Sequence, residues 1–190
     1  MFRIVVFGRA AHEDLFLKGY DIIANAIGIL GEKFKMTFVG SPSGEQRKLE
    51  KWFLKETKIS RDQLTIHSYV DQEPMKRKFK QSNLFVLPSR EEACELVALE
   101  AISAGVPVLI SKKAGIAKAL QNVDRGNSVI VTSDNAKEWA EKLHQLSKQT
   151  PQQRHTNALH LRQNYKKTYS WETERRKFSA LIEDLKIEGM

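Results

Sequence analysis

The sequence predicts a doubly wound α/β domain, a parallel sheet of about six strands with helices on both faces. Two observations carry that expectation. Short apolar runs recur along the chain, and segments with helical spacing separate each run from the next. Parallel neighbours need crossover connections and are buried on both faces, which is the arrangement such a pattern can satisfy.

The first run, Phe2-Arg3-Ile4-Val5-Val6-Phe7, is β-branched and aromatic and is closed by Gly8, so it reads as a buried strand. From Lys18 to Gly31, Ile22, Ile23, Ala26, Ile27 and Leu30 recur at helical spacing, with Gly31 placed as the stop. Phe34 to Val39 is the second strand, and Gly40-Ser41-Pro42-Ser43-Gly44 its turn. The alternation continues with a helix at Glu45–Lys58, a strand at Leu64–His67, a helix at Glu73–Gln81 and a strand at Leu84–Leu87. Then come a helix at Glu95–Ala104, a strand at Val106–Ile110, a short helix at Ile116–Leu120 and a strand at Ser128–Val131. Beyond Ala136 the pattern is helical to the end, with Trp139, Leu143 and Leu146, then Leu159 and Leu161, then Phe178, Leu181, Ile182 and Leu185. In such a sheet, ligands sit beyond the carboxyl ends of the strands where the strand order reverses, so the loops after Phe7, Val39, His67 and Leu87 are the expected functional ones.

At 190 residues the chain is expected to fold as one domain, residues 1–190, with 135–190 a mostly helical extension. Hydrophobic residues at 41% and charged residues at 28% exclude a disordered or disulfide-stapled chain. The opening apolar run is too short to span a membrane and lacks signal-peptide architecture. With one cysteine, Cys94, an internal disulfide and a cysteine-based zinc cluster are excluded, which points to a reducing, cytoplasmic setting. The excess of 31 basic over 23 acidic residues favours anionic partners such as phosphorylated ligands. Lys76-Arg77-Lys78-Phe79-Lys80 and the basic tail read as solvated helix faces and make no case for nucleic acid. The chain has neither Gly-x-Gly-x-x-Gly nor a Walker A sequence, which removes a simple nicotinamide dehydrogenase and a P-loop NTPase. His12, His67, His144, His155 and His160 show no metal-ligand pattern, and no metal or other cofactor is expected.

The most informative stretch runs from Leu87-Pro88-Ser89 through Glu92 and Glu100 to Gly105-Val106-Pro107-Val108. From Leu96 to Ile110 nearly every residue is apolar or small, yet Glu100 interrupts it. A carboxylate in such a setting must be paired, hydrogen-bonded or set at a cavity edge. A salt bridge and a ligand contact both satisfy that requirement at this stage.

Glu92 and Glu100 form a Glu-x7-Glu spacing inside Pro-Ser-x(2)-Glu-x(4)-Val-Ala-Leu-Glu-Ala-x(3)-Gly-Val-Pro-Val. This resembles the C-terminal, donor-nucleotide-binding domain of the GT-B-fold, group 1 retaining glycosyltransferases, a Rossmann-like domain. Gly8-Arg9, Lys18-Gly19-Tyr20-Asp21 and Val39-Gly40 resemble further elements of that family, as do Tyr69-Val70, Ala114-Gly115-Ile116, Gly126 and Tyr169-Ser170-Trp171. The resemblance covers nearly the whole chain.

It implies hexosyl transfer from a nucleoside diphosphate sugar, with the acceptor bound by an N-terminal domain that this chain does not contain. The donor site it implies comprises Gly8, Arg9, Lys18, Gly40, Glu92, Ala93, Cys94, Glu95, Leu96 and Glu100, of which Glu92, Arg9 and Lys18 are the catalytic members. Arg9 and Lys18 would hold the diphosphate, Arg as a directional fork and Lys as a point charge. Glu92 would accept from sugar hydroxyls and Glu100 from those of the ribose, while backbone N–H groups at Cys94–Leu96 would add an anion site.

The chain departs from the family pattern at several places. Glu95 stands where a glycine normally lets the donor approach, and its charge opposes a nearby diphosphate unless the side chain turns outward. Ser68 and Ala114 replace glycines, Lys118 replaces a frequent acidic residue, and the segment between Arg9 and Lys18 is longer than in many members. An isolated half is expected to transfer sugar weakly or not at all. Two alternatives follow: a degenerate module kept for interaction or signalling, and a sugar-nucleotide epimerase of the same fold.

Overall fold

The computed structural model describes residues 1–10, 14–69, 72–91 and 96–170 with 172, 175 and 176, and gives only the backbone of 72–74. The expectations for His12, Val70, Trp171, residues 92–95 and the stretch from Phe178 to Leu185 lie outside the described residues.

Six parallel strands form one sheet in the order β3-β2-β1-β4-β5-β6. They are β1 (Phe2–Phe7), β2 (Phe34–Ser41), β3 (Leu64–Ser68), β4 (Leu84–Leu87), β5 (Val108–Ser111) and β6 (Ile130–Val131). The helices are α1 (Tyr20–Leu30), α2 (Gln46–Glu56), α3 (Gln72–Gln81), α4 (Leu96–Ser103), α5 (Gly115–Gln121), α6 (Ala136–Lys148) and α7 (Pro151–Thr168). The chain winds outward from β1 to β3, returns to lay β4 against the other side of β1, and continues outward to β6. Strand order therefore reverses between β1 and β4, the doubly wound arrangement expected from the sequence.

Burial on both faces follows from the strand period. Along β1, Ile4 and Val6 enter one layer, while Val5 and Phe7 enter the other. The first layer holds Ile23 and Ile27 of α1, Phe53 of α2 and Trp139 and Leu143 of α6. The second holds Phe79 of α3, Ala98 and Ile102 of α4, Leu120 of α5 and Leu161 of α7. Trp139 is fully buried, and its indole N–H donates to the Ser133 carbonyl at 2.9 Å, which removes the cost of enclosing that donor. Among the described residues, no helix is long and apolar enough to cross a membrane.

Element ends differ from the sequence expectations for local reasons. Helix α1 begins at Tyr20 rather than Lys18, because Gly19 takes a left-handed φ of 70°. Strand β2 runs through Gly40 to Ser41, with its register against β3 shifted after Val39. Strand β5 starts at Val108, not Val106. Pro107 has no N–H to give the ladder, although its carbonyl accepts from Phe85 N–H at 2.9 Å. Ser128 and Val129 form a 3-10 turn (Gly126–Val129) in place of the start of β6.

Gln63 is 3% exposed and anchors the end of α1. Its carboxamide N–H groups donate to the carbonyls of Ile27 at 3.0 Å and Gly31 at 2.8 Å, which also accept from the backbone N–H groups of Gly31 and Phe34, each at 3.1 Å. Gln63→Leu keeps the volume but removes two buried hydrogen bonds, so a loss of about 1–3 kcal/mol is expected in urea unfolding. His67 at the end of β3 accepts from Lys78 Nζ of α3 at 2.9 Å. Burial, and then the Lys78 charge, hold its pKa below the usual 6.5. Between that depressed value and 6.5, the unfolded chain binds a proton that the native one refuses. Stability is therefore fully present above pH 6.5 and declines as pH falls through this window. Lys78→Met relieves part of the depression, and its urea midpoint should fall less between pH 7.5 and 5.5 than that of the parent, as measured by circular dichroism.

Candidate functional site

The loops after β1, β2 and β4 converge at the carboxyl edge beside the strand-order reversal. Gly8 N–H donates to the Val39 carbonyl at 3.1 Å, and Ala10 N–H to the Gly40 carbonyl at 3.3 Å, so the first two loops are zipped together. Gly40 sits at φ 132°, and a Cβ there would lie 1.9 Å from the Gly8 carbonyl oxygen; only a glycine permits the approach. Gly19 has the same function against the third loop, since a Cβ there would meet the Pro88 carbonyl oxygen at 2.1 Å. These contacts bring the backbones carrying Arg9, Lys18 and residues 88–90 to one place.

Arg9 is exposed, while its backbone is held from beneath. The Tyr20 hydroxyl donates to the Arg9 carbonyl at 3.4 Å, and the Tyr20 ring, 2% exposed, packs edge-on against Phe38 at 4.9 Å between centroids. Lys18 is half-buried and closes a turn in which its N–H donates to the Asp14 carbonyl at 2.8 Å. Tyr69, with its N–H on the Ser41 carbonyl at 3.1 Å, is 73% exposed beyond β3, and Leu96 at the start of α4 is 69% exposed.

Glu100 lies one helical turn beyond Leu96, about 6 Å along α4. It is half-buried, and among the described residues its carboxylate makes no ion pair or hydrogen bond, so the salt-bridge reading is not the one adopted. It borders a cavity of about 630 Å³ between α3 and α4, with Met75, Phe79, Val106 and Pro107 among the lining residues. Gly8, Arg9, Lys18 and Gly40 thus share one edge, and Glu100 stands apart from them, deeper along α4. Glu92, Ala93, Cys94 and Glu95 lie outside the described residues. No group of three or more metal-ligating side chains occurs among the described residues.

Sequence reasoning missed the residue that ties these loops together. Arg90 Nη1 and Nη2 donate to Asp21 Oδ1 and Oδ2 at 2.6 and 2.8 Å, and Nη1 also reaches the Phe16 carbonyl. The Arg90 backbone N–H adds a bond to the Leu17 carbonyl at 2.9 Å. The hydrogen bond to Asp21 raises the Arg90 pKa above its ordinary value despite partial burial. On its other side Asp134 lies 3.9 Å from Nε and pairs with Lys113 Nζ at 2.6 Å. Asp21 was visible within Lys18-Gly19-Tyr20-Asp21, but nothing local connects it with an arginine far along the chain. Ser89 was missed as well: it is 1% exposed, and its Oγ has no hydrogen-bond partner among the described residues.

Two departures from the family pattern have plain local consequences. Ala114 has φ −72° and ψ 138°, a conformation that requires no glycine. The Ser68 hydroxyl accepts from Gln46 Nε2 of α2 and so ties that helix to the end of β3.

Arg90 positions the loop that leads into residues 92–95 against the loop that carries Lys18. Arg90→Lys keeps the charge but loses the two-pronged contact with Asp21. The expected result is a fold retained by circular dichroism, with faster amide hydrogen exchange confined to residues 14–21 and 88–91.

The chain matches a family model described as Family 4 Glycosyltransferase in conflict systems over residues 1–178. It is 29% identical over 135 residues to a D-inositol 3-phosphate glycosyltransferase from Paenarthrobacter aurescens, covering 68% of this chain and 32% of that protein. The chain thus spans about a third of the length of the curated relatives it matches. Among solved structures, the sucrose-phosphate synthase of Thermosynechococcus elongatus superposes with a TM-score of 0.72 at 21% identity, over 98% of this chain and 46% of that one. Anabaena HepE in complex with UDP and glucose superposes with a TM-score of 0.71 at 18% identity, over 96% of this chain and 48% of that one. Together with the sheet order and the motifs at its carboxyl edge, these likenesses place the chain: it belongs to the family 4 glycosyltransferases of conflict systems, as a group 1 glycosyltransferase domain of GT-B type.

Proposed function

We propose that the chain is the nucleotide-sugar donor half of a retaining hexosyltransferase, with the acceptor bound by a separate domain. The observation that carries this reading is the glycine-permitted convergence of the β1, β2 and β4 loops, which sets Arg9 and Lys18 beside the point of strand reversal. A guanidinium and an ammonium at that place suit a diphosphate and stabilise it as the leaving group when the anomeric bond breaks. Glu92 is assigned to the sugar hydroxyls and Glu100 to the ribose. Gly8, Gly40 and the backbone at Ala93, Cys94, Glu95 and Leu96 complete the donor contacts. The Glu100 carboxylate, half-buried without a partner among the described residues, supports its share of the assignment. The Anabaena neighbour, whose structure holds UDP and glucose, supports the ligand class.

On this reading the donor edge is completed by a separate domain. Without closure by a second domain, water competes for every phosphate oxygen, so binding is weaker and transfer slow. Calorimetry of the chain with uridine, guanosine and adenosine diphosphates should give measurable heat for one of them. Lys18→Ala and Glu100→Ala should each weaken that binding by about tenfold, the worth of one charge-assisted hydrogen bond. Silence with all three nucleotides at millimolar concentration would sink the reading and favour an interaction module. Glu95→Gly separates the two orientations of that side chain, since tighter binding is expected if its charge faces the diphosphate.

A further inference from the structure

We infer that the face opposite the carboxyl edge holds a second binding site, for a small phosphorylated polyol such as a hexose phosphate. A cavity of about 410 Å³ lies where the amino end of β5 meets α6 and α7, a volume in the range of small-ligand sites. Arg125, Lys142 and Arg154 line it, and no carboxylate does among the described residues. Strand β5, four residues and about 13 Å long, separates this place from the donor edge, so one ligand cannot occupy both.

Three independent features make this more than a patch of surface charge. First, Arg154 is a cation that is 7% exposed and has no carboxylate partner among the described residues. Its Nη1 donates to the carbonyls of Leu146, at 3.2 Å, and Gln149 at the end of α6, and its guanidinium lies 5.1 Å from the centre of the Phe2 ring. Nε and Nη2 make no hydrogen bond among the described residues, and the α6 dipole offsets only part of the enclosed charge. Second, Gln149 Oε1, on the same lining, is buried without a hydrogen-bond partner among the described residues, which a ligand hydroxyl would satisfy. Third, Arg125 has φ 63°, the only positive value at a non-glycine among the described residues, and Gly126 follows it. Glycine would hold that backbone without strain, so a side chain kept there has a use beyond the turn. Its guanidinium forms no ion pair or hydrogen bond among the described residues.

The lining matches the chemistry of the inferred ligand. The three cations suit a phosphate monoester dianion, with the two arginines as forks and Lys142 as a point charge. Gln145, Gln149 and Asn157 offer carboxamides, which both donate to and accept from hydroxyls. Pro107, Val108 and Leu109 form an apolar wall against which the ring of a sugar can lie.

The test is calorimetry of the full chain with glucose 6-phosphate, inorganic phosphate and glucose, on the parent, Arg125→Gly and Lys142→Gln. Glucose 6-phosphate should bind, inorganic phosphate about tenfold more weakly and glucose not at all. Each substitution should weaken glucose 6-phosphate binding by about tenfold. Arg125→Gly should leave the melting temperature unchanged or raised, because it relieves the left-handed backbone. Saturation with a nucleoside diphosphate should leave the binding intact. No heat with glucose 6-phosphate up to about 10 mM, affinity unchanged in both variants, or competition with the nucleotide would each overturn the site. Equal affinity for inorganic phosphate would also overturn it, since the carboxamides would then recognise nothing. Failure of this site leaves the donor-half reading untouched, because the two are probed by different ligands.

Discussion

Burial of a parallel sheet on both faces is the constraint from which the rest of this structure follows. With Ile4 and Val6 committed to one layer and Val5 and Phe7 to the other, the central strand has no side chain left for chemistry. The same holds for Leu84–Leu87, where all four residues are buried. Polar function is displaced to strand ends, and right-handed crossovers put every β-to-α loop on the same edge. Gly19 and Gly40 are the local consequence, since three loops cannot share the narrow space at the reversal point unless backbone meets backbone without intervening Cβ atoms, and Gly8 leaves room for the Tyr20 hydroxyl. The residues at risk from substitution are therefore small ones with no chemistry of their own.

Charge at that edge is divided between holding the loops and meeting a ligand. Asp21 and Asp134 are engaged by Arg90 and Lys113, so these carboxylates do not repel an incoming anion. Asp21 also lies in the first turn of α1, where a negative charge favours the helix dipole. Exposed Arg9 and half-buried Lys18 stand at the same edge. Arg90 is suited to its part because a guanidinium can take both carboxylate oxygens and a backbone carbonyl at once, which an ammonium cannot do with the same directionality. The network is partly exposed, so its contribution lies in geometry more than in stability.

The alternation of strands and helices was legible because each element spans several residues and repeats its period. Its ends were not, since they depend on single residues meeting distant ones. Gly40 looked like a turn residue and proves to extend β2 against Gly8, and Ser128 looked like strand and proves to cap a 3-10 turn through the Arg125 carbonyl. The candidate site was legible to the extent that motif residues flank an element's end, as Arg9 does after β1 and Lys18 before α1. Arg90 was invisible because its partner Asp21 is 69 positions away, and no periodicity links them. Departures from a family pattern were misleading in the opposite sense. Ala114 sits in ordinary extended backbone, so the loss of a glycine there changes no geometry.

Glu100 shows how a half-buried position can hold a carboxylate that has no partner among the described residues. A carboxylate enclosed in protein must find a partner or shed its charge, yet this one is only half-buried and keeps contact with water at the border of the α3–α4 cavity. Water is an adequate partner while the domain is open. Once a ligand or a second domain displaces that water, the carboxylate needs a hydroxyl or N–H in its place, and only a molecule that supplies one can close the site without penalty. Discrimination at such a position comes less from attraction than from the cost imposed on molecules lacking the donor. The cations on the rim act differently, since their reach through an open, screened edge extends only about 10 Å. On the proposed donor-half reading, Arg9 and Lys18 gather the anion and Glu100 rejects the wrong one, and the second of these actions is the one that depends on the exclusion of water.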